Sequence, residues 1–261
     1  MHRCAAFMVA LLLAACAGVP RTDPPSESPP SALPSPSASA AIDPEAALST
    51  VICGGPSFPI EVLSQRGEAQ DGDDPAAAAL RALLTTPEAS VILPATGWIQ
   101  AVRTETTSFY IAQAPAGAEP PFVQAELELR DGTWRMVGFG QCWPMVDVGP
   151  DLGLAEFSVD PSVTLTPEMT EVPVLVTERA CTGSASSEGR IVEPAVVESD
   201  VSVVVVFAVV PLEGDAFTCP GNPSTAYLLE LPSPLGGRAL LDGSSVPPRD
   251  AAACPASAAC P

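Results

Sequence analysis

Val123-Gln124-Ala125-Glu126-Leu127-Glu128-Leu129-Arg130 runs into Asp131-Gly132 and then Thr133-Trp134-Arg135-Met136-Val137-Gly138-Phe139. Apolar and polar side chains alternate through the first run, as a half-buried strand requires. Asp-Gly is a favoured two-residue hairpin turn, because both positions accept positive φ. The return strand divides its faces between Trp134 and Met136 on one side and Arg135 and Val137 on the other, or the reverse. Glu126 and Glu128 then fall on the solvated face of a strand, which argues against their being a paired acid and base.

Working outward from this hairpin, residues 97–103 and 107–113 read as two further strands joined by a polar turn, and a Pro/Gly loop over 115–121 leads into Val123. Upstream, Asp71-Gly72-Asp73-Asp74-Pro75 precedes an Ala/Leu-rich run, 76–85. Carboxylates spaced by two invite a calcium reading. Pro75 follows, however, and no Glu closes a twelve-residue loop. Asp74 as an N-cap with Pro75 at the first helical position is the better match, and Leu80, Leu83 and Leu84 share one face of the helix it starts. Phe58-Pro59-Ile60-Glu61-Val62-Leu63 reads as a strand. These elements make a small α+β domain over 51–145.

After a linker near 144–153 the pattern loses all helical period. Segments 155–159, 162–166, 172–177, 190–197, 201–210, 227–231 and 238–241 read as short strands broken by Pro, Gly and Ser, which suggests a β-sandwich-like domain over 154–245. The nearly unbroken apolar run from Val203 to Val210 is expected to be its central buried strand, ended by Pro211. Residues 246–261 are Pro/Ala-rich and read as a loose tail. The fold class expected is therefore mainly β: a small α+β domain followed by a β-sandwich-like domain, both stapled by disulfides.

The N-terminus carries Arg3, an apolar run over 5–14 and then Leu13-Ala14-Ala15-Cys16. A basic tip, a short apolar core and small residues before the cut are the parts of an export signal, and the run is shorter than the roughly 18 residues a spanning helix needs. The sequence Leu13-Ala14-Ala15-Cys16 resembles a lipobox, at which bacterial lipoproteins are joined to diacylglycerol and cut before the Cys. The resemblance implies a signal peptide over 1–15, lipidation with diacylglycerol and palmitate at Cys16, and the extracytoplasmic face of the cell membrane as the location. Residues 16–50 follow as a tether of Pro, Ser and Ala with hardly any large apolar side chain, a composition that stays disordered and extended.

A second set of residues carries another likeness. Glu178-Arg179-Ala180-Cys181-Thr182-Gly183, Gly189-Arg190-Ile191, Cys219-Pro220-Gly221-Asn222-Pro223, Leu231-Pro232-Ser233-Pro234-Leu235-Gly236-Gly237-Arg238 and Leu241-Asp242-Gly243 are together similar to a segment that recurs in exported proteins and lipoproteins of actinobacteria. It spans 173–249, implies a bacterial envelope protein and brings no chemistry with it. Physically, its Gly, Pro and Cys positions are turns and crosslinks. Arg179, Arg190 and Arg238 are expected to pair with local carboxylates, or to meet an anionic ligand.

Composition narrows the function. The formal charge is −20, from 11 basic and 31 acidic residues, which argues against nucleic acid as a partner and against docking on anionic lipid by charge. Every basic residue is Arg, and the one His, His2, lies in the signal. The mature chain therefore lacks the side chains for a Ser-His-Asp triad, a Cys-His pair, a His-ligated metal or a Lys Schiff base. Cys53, Cys142, Cys181, Cys219, Cys254 and Cys260 remain once Cys4 leaves with the signal and Cys16 takes lipid; an even number in an exported chain reads as disulfides. Proximity within the expected domains favours 53–142, 181–219 and 254–260. Trp98, Trp134 and Trp143 raise the prospect of stacking on sugar rings, against the commoner use of Trp in packing.

The function expected is a lipid-anchored, extracytoplasmic binding or interaction protein of the cell envelope. It is not expected to be an enzyme, its anchor stands in place of any cofactor, and its partner is an envelope protein or a wall polymer. The alternatives are a glycan-acting enzyme that uses carboxylates alone and a sensor ectodomain for a membrane partner.

Overall fold

A computed structural model describes Ile42 and residues 48–214 and 216–253; all fall within one compact unit, Ser39–Pro261. Cys4, Cys16, Cys254 and Cys260, and with them the signal, the lipidation site and most of the tether, lie outside the described residues. The fold is mainly β, an α+β region followed by a sandwich-like one, as the strand patterns imply.

In the first region β3 (Ile99–Arg103), β4 (Thr107–Gln113), β5 (Phe122–Arg130) and β6 (Thr133–Cys142) form a four-stranded antiparallel meander. The turn between β5 and β6 has Asp131 at φ 52° and Gly132 at φ 72°, the left-handed pair that a type I′ hairpin demands. Val123, Ala125 and Leu127 are buried as the alternation requires. The return strand departs from simple alternation. Glu126 faces Gly138 and Leu127 faces Met136, so one residue of β6 is extra. That bulge flips the faces midway: Trp134 and Phe139, five apart, pack into one cluster, while Met136 is 42% exposed.

Helix α1 (Pro75–Leu84) lies on one face of this meander. The Asp74 carboxylate caps it, accepting from the Ala76 N–H at 2.8 Å and the Ala77 N–H at 3.2 Å. Ala76, Leu80 and Leu83 pack with Trp98, Tyr110, Val123, Ala125 and Leu127. The other face is covered by a small sheet of β1 (Thr50–Ile52), β2 (Ser57–Pro59) and β7 (Met145–Val146). The strand expected over 58–63 ends at Pro59 and continues as a 3-10 turn, Ile60–Ser64. β1 is only three residues long and offers no ladder beyond Pro59, so the chain curls and buries Leu63 beside Phe58 and Phe109 instead. Gly55 allows the closest approach here, since a Cβ on it would sit 2.3 Å from the Phe109 ring.

The second region is a seven-stranded sheet with the order β12-β9-β8-β11-β13-β14 and β10 added to β11. Its strands are β8 (Gly153–Val159), β9 (Glu171–Glu178), β10 (Ala195–Glu198), β11 (Ser202–Val209), β12 (Thr225–Glu230), β13 (Ala239–Asp242) and β14 (Arg249–Asp250). β11 is the central buried strand. Its first half pairs with β10 and, in parallel, with β13, while its second half pairs with β8. One long strand thus joins two sheet halves. Val203, Val205, Phe207 and Val209 face a core shared with Phe157, Val174, Val176, Leu229 and Leu240.

Two expected strands are not regular. At 162–166 the Asp160 carboxylate accepts from the Ser162 N–H (2.8 Å) and hydroxyl (2.7 Å), making a turn. The strand expected over 190–197 is reduced to Ala195–Glu198 and a single bridge from Ile191 to Val209, because Pro194 interrupts the ladder.

Residues 144–153, read as a linker, carry β7, and both regions contribute to what surrounds it. Met145 bridges Ser245, the Val246 N–H bonds the Pro144 carbonyl at 2.9 Å, and Val146 packs with Ala195 and Val206. Residues 246–253, read as part of a loose tail, are tied in. β14 pairs with β13, and Ala251 is buried, its carbonyl accepting from the Val159 N–H at 2.8 Å.

Cys53 is bonded to Cys142 and Cys181 to Cys219. No helix among the described residues is long and apolar enough to cross a membrane.

Candidate functional site

Arg179, Arg190 and Arg238 all take local carboxylates, and Arg179 joins a fourth arginine, Arg249, to build a site. Glu156 stands on the outer face of β8, opposite Thr177 of β9. Its Oε2 accepts from Arg179 Nη1 at 2.9 Å and from Arg249 Nη2 at 3.0 Å. The same Arg249 nitrogen reaches Asp242 Oδ2 at 2.7 Å, and that carboxylate also accepts from the Ser244 N–H at 3.0 Å and the Ser244 hydroxyl at 2.9 Å. The result is a continuous chain, Arg179–Glu156–Arg249–Asp242, with the Asp242 side chain only 2% exposed. Burial pushes the Asp242 carboxyl above its ordinary pKa, and the Ser244 N–H and Arg249 draw it only partly back. Loss of hydration works against the charge on Arg249, but the Asp242 and Glu156 carboxylates more than offset it and hold its proton tighter than usual.

Two cavities open on this chain and share Phe157, Arg179 and Arg249, so they form one bent cleft. The larger, about 560 Å³, runs along Glu156, Thr177, Arg179, Asn222 and Ser224 to the Cys181–Cys219 bridge. The smaller, about 410 Å³, passes between the two β regions and is bordered by Glu119, Trp143, Met145, Asp242, Ser245 and Asp250.

The end of the larger arm is rigid for identifiable reasons. Asn222 Nδ2 donates to the Glu178 and Ala180 carbonyls at 2.7 and 2.5 Å, and the Thr182 hydroxyl donates to Asn222 Oδ1 at 2.7 Å. Behind it Arg190 Nη2 bonds Glu178 Oε2, and its Nη1 bonds the Val210 carbonyl at 2.6 Å. The third of the expected pairs, Arg238 with Glu198 at 2.9 Å, stands elsewhere, at the start of β13.

Of the three tryptophans only Trp143 meets the cleft. It is 40% exposed at the rim and is fixed by its neighbours, the disulfide at Cys142 and β7. Trp98, read as a sugar-stacking candidate, is fully buried, with its Nε1–H bonded to the Pro94 carbonyl at 2.8 Å; it is packing under α1. Trp134, the other such candidate, packs beside the same cluster, and the Arg103 guanidinium covers its ring at 4.3 Å from the centroid.

The acidic run before α1 has its own use. Asp74 caps the helix, and Arg81 closes the loop by donating to the Gln70 and Gly72 carbonyls at 2.7 and 2.8 Å. Among the described residues no three His, Cys, Asp or Glu side chains come together as a cation would need.

Sequence reasoning reached Arg179 and Trp143 but not Glu156, Asp242 and Arg249. Asp242 reads as a turn residue in Asp242-Gly243 and Arg249 as part of the tail. The one available signal was the scarcity of Arg, which makes an Arg inside a Pro-rich segment conspicuous. Chemically the cleft is a set of fixed donors and acceptors beside an exposed ring. Glu156 and Asp242 already meet guanidinium groups, and both Asp242 oxygens are occupied, so these fixed charges can hold a polar ligand. No protein-family model, curated protein or solved structure matches this chain.

Proposed function

We propose that this is a lipid-anchored binding protein of a bacterial envelope, held at Cys16 on the extracytoplasmic face of the membrane, whose bent cleft receives a polyhydroxylated ligand such as a wall polysaccharide. The observation that carries the reading is the continuity of the cleft from the Trp143 ring to the Arg179–Glu156–Arg249–Asp242 chain. An aromatic face beside planar, fixed polar groups offers a sugar both stacking and paired hydrogen bonds. The two disulfides support export to an oxidising compartment. The saturation of Asp242 weighs against an enzyme that works through carboxylates alone.

The anchor is tested by Cys16→Ser. In cell fractionation the wild-type protein is expected with the membrane and the variant in the medium or the soluble envelope fraction. A variant that stays tightly with the membrane contradicts the lipid anchor, since such a protein relies for attachment on two or three acyl chains, one alone giving only marginal binding. Binding is tested by retention of the purified protein on insoluble wall polysaccharide, with loss of retention expected for Trp143→Ala.

A further inference from the structure

The seven-stranded sheet leaves two edges open toward one another. Among the described strands β12 pairs with β9 alone and β10 with β11 alone. The Leu231 N–H bonds the Thr170 carbonyl at 2.7 Å, and Glu230 stands opposite Glu171. Antiparallel alternation from that register turns the backbone N–H and C=O groups of Ala226, Leu228 and Glu230 away from β9. In β10 the Ser199 N–H bonds the Ser202 carbonyl at 2.8 Å, and the same alternation turns the backbone groups of Val196 and Glu198 away from β11.

A groove of about 490 Å³ lies between these edges, with Glu193, Pro194 and Val196 on one wall and Tyr227, Leu228 and Glu230 on the other. The antiparallel pairings β10–β11, β11–β8, β8–β9 and β9–β12 make β10 and β12 run in the same direction. One extended segment laid between them in the opposite sense pairs antiparallel with both, and it closes the open side of the sandwich.

The charge of the groove selects the occupant. No cationic side chain lines it. Burial, with the nearby Glu193 and Glu230 carboxylates, pushes the Tyr227 hydroxyl pKa up, so both acids act on the same spot. Glu198, at the end of β10, is already taken by the Ser233 hydroxyl and Arg238, each at 2.9 Å, which hold its carboxyl below the usual range. Leu228 is 50% exposed on the β12 wall.

We propose that this groove receives an extended, basic segment of a partner protein, added as a strand between β12 and β10, with alternate side chains directed inward to Val196 and Tyr227 and outward beside Glu193 and Glu230. This is recognition by strand addition, in which backbone bonds give affinity and alternate side chains give specificity. Pro194 and Pro232 bracket the open ladder and limit the segment to a short one. The site is separate from the Trp143 cleft and would give the protein a second, protein partner.

The test uses the full, disulfide-bonded chain and a synthetic heptapeptide alternating Arg and Val, followed by amide hydrogen exchange. Exchange at Ala226, Leu228 and Glu230 is expected to slow by roughly tenfold or more on adding the peptide, and a Glu/Val peptide is expected to have no such effect. Leu228→Pro removes an N–H that β9 does not use, so the strand is retained and peptide protection is expected to disappear. Glu230→Arg, a change at an exposed position that does not rely on a tolerated proline, is expected to weaken the basic peptide roughly tenfold. Unchanged exchange with the basic peptide, equal protection by the acidic one, or undiminished binding to Glu230→Arg overturns the proposal.

Discussion

Replacing Cys53 and Cys142 together by Ala is expected to lower the unfolding free energy by about 4–5 kcal/mol. The bridge joins residues 89 apart in sequence, so its removal frees nearly the whole α+β region in the unfolded chain, and loop-closure entropy sets the size of the effect. Ala keeps the Cys53 site apolar, which matters because Cys53 is fully buried beside Val51 and Phe58; Ser would add a buried hydroxyl to the cost. For domains with a total margin of about 5–15 kcal/mol the loss is large. The consequence reaches the cleft, because Trp143 follows Cys142 directly and depends on it for position. Urea unfolding of wild type and double variant measures the difference, and a loss below about 1 kcal/mol contradicts the constraint argument. The Cys181–Cys219 bridge, with a separation of 38, is expected to contribute about 4 kcal/mol on the same basis.

Arg190→Leu is expected to cost about 3–5 kcal/mol, because it leaves an uncompensated buried carboxylate. The Glu178 side chain is 2% exposed and Arg190 15%, and the guanidinium also ties down the Val210 and Ser186 carbonyls. The pair is expected to matter more by its breakage than by its presence. Arg190→Leu with Glu178→Leu should therefore recover most of the loss, since two apolar residues replace two buried charges. Denaturation of the single and double variants checks this. A double variant as unstable as the single one would mean that the carbonyl contacts of Arg190, not its charge, hold the segment.

The two pairs show what the sequence made legible. The hairpin over 123–139 could be read because its alternation and its Asp131-Gly132 turn are local properties of the chain. The helix cap at Asp74 was legible for the same reason. The bulge in β6 was not, since it answers to how Trp134 and Phe139 fit under α1. Pro59 and Pro194 cut two expected strands short, one where the ladder ran out of partner and one where the donor was missing. The pairing of Arg179, Arg190 and Arg238 with local carboxylates was expected, but their partners came from strand positions: Glu156, which takes Arg179, lies on β8 opposite Thr177 of β9, Glu178, which takes Arg190, ends β9, and Glu198, which takes Arg238, ends β10. The tail's role in the cleft depended on one pairing, Asp242 with Arg249, which no local pattern announces.

Titration of soluble wall-polysaccharide fragments into the purified protein, followed by tryptophan fluorescence, asks whether the cleft beside Trp143 holds a polyhydroxylated ligand. Trp98 is buried and Trp134 is covered by Arg103, so the exposed Trp143 should supply the response. A saturable change in emission is expected that is lost in Trp143→Ala, with urea unfolding of that variant otherwise unchanged. No change in the wild type, or an equal affinity in Trp143→Ala measured by calorimetry, would contradict it.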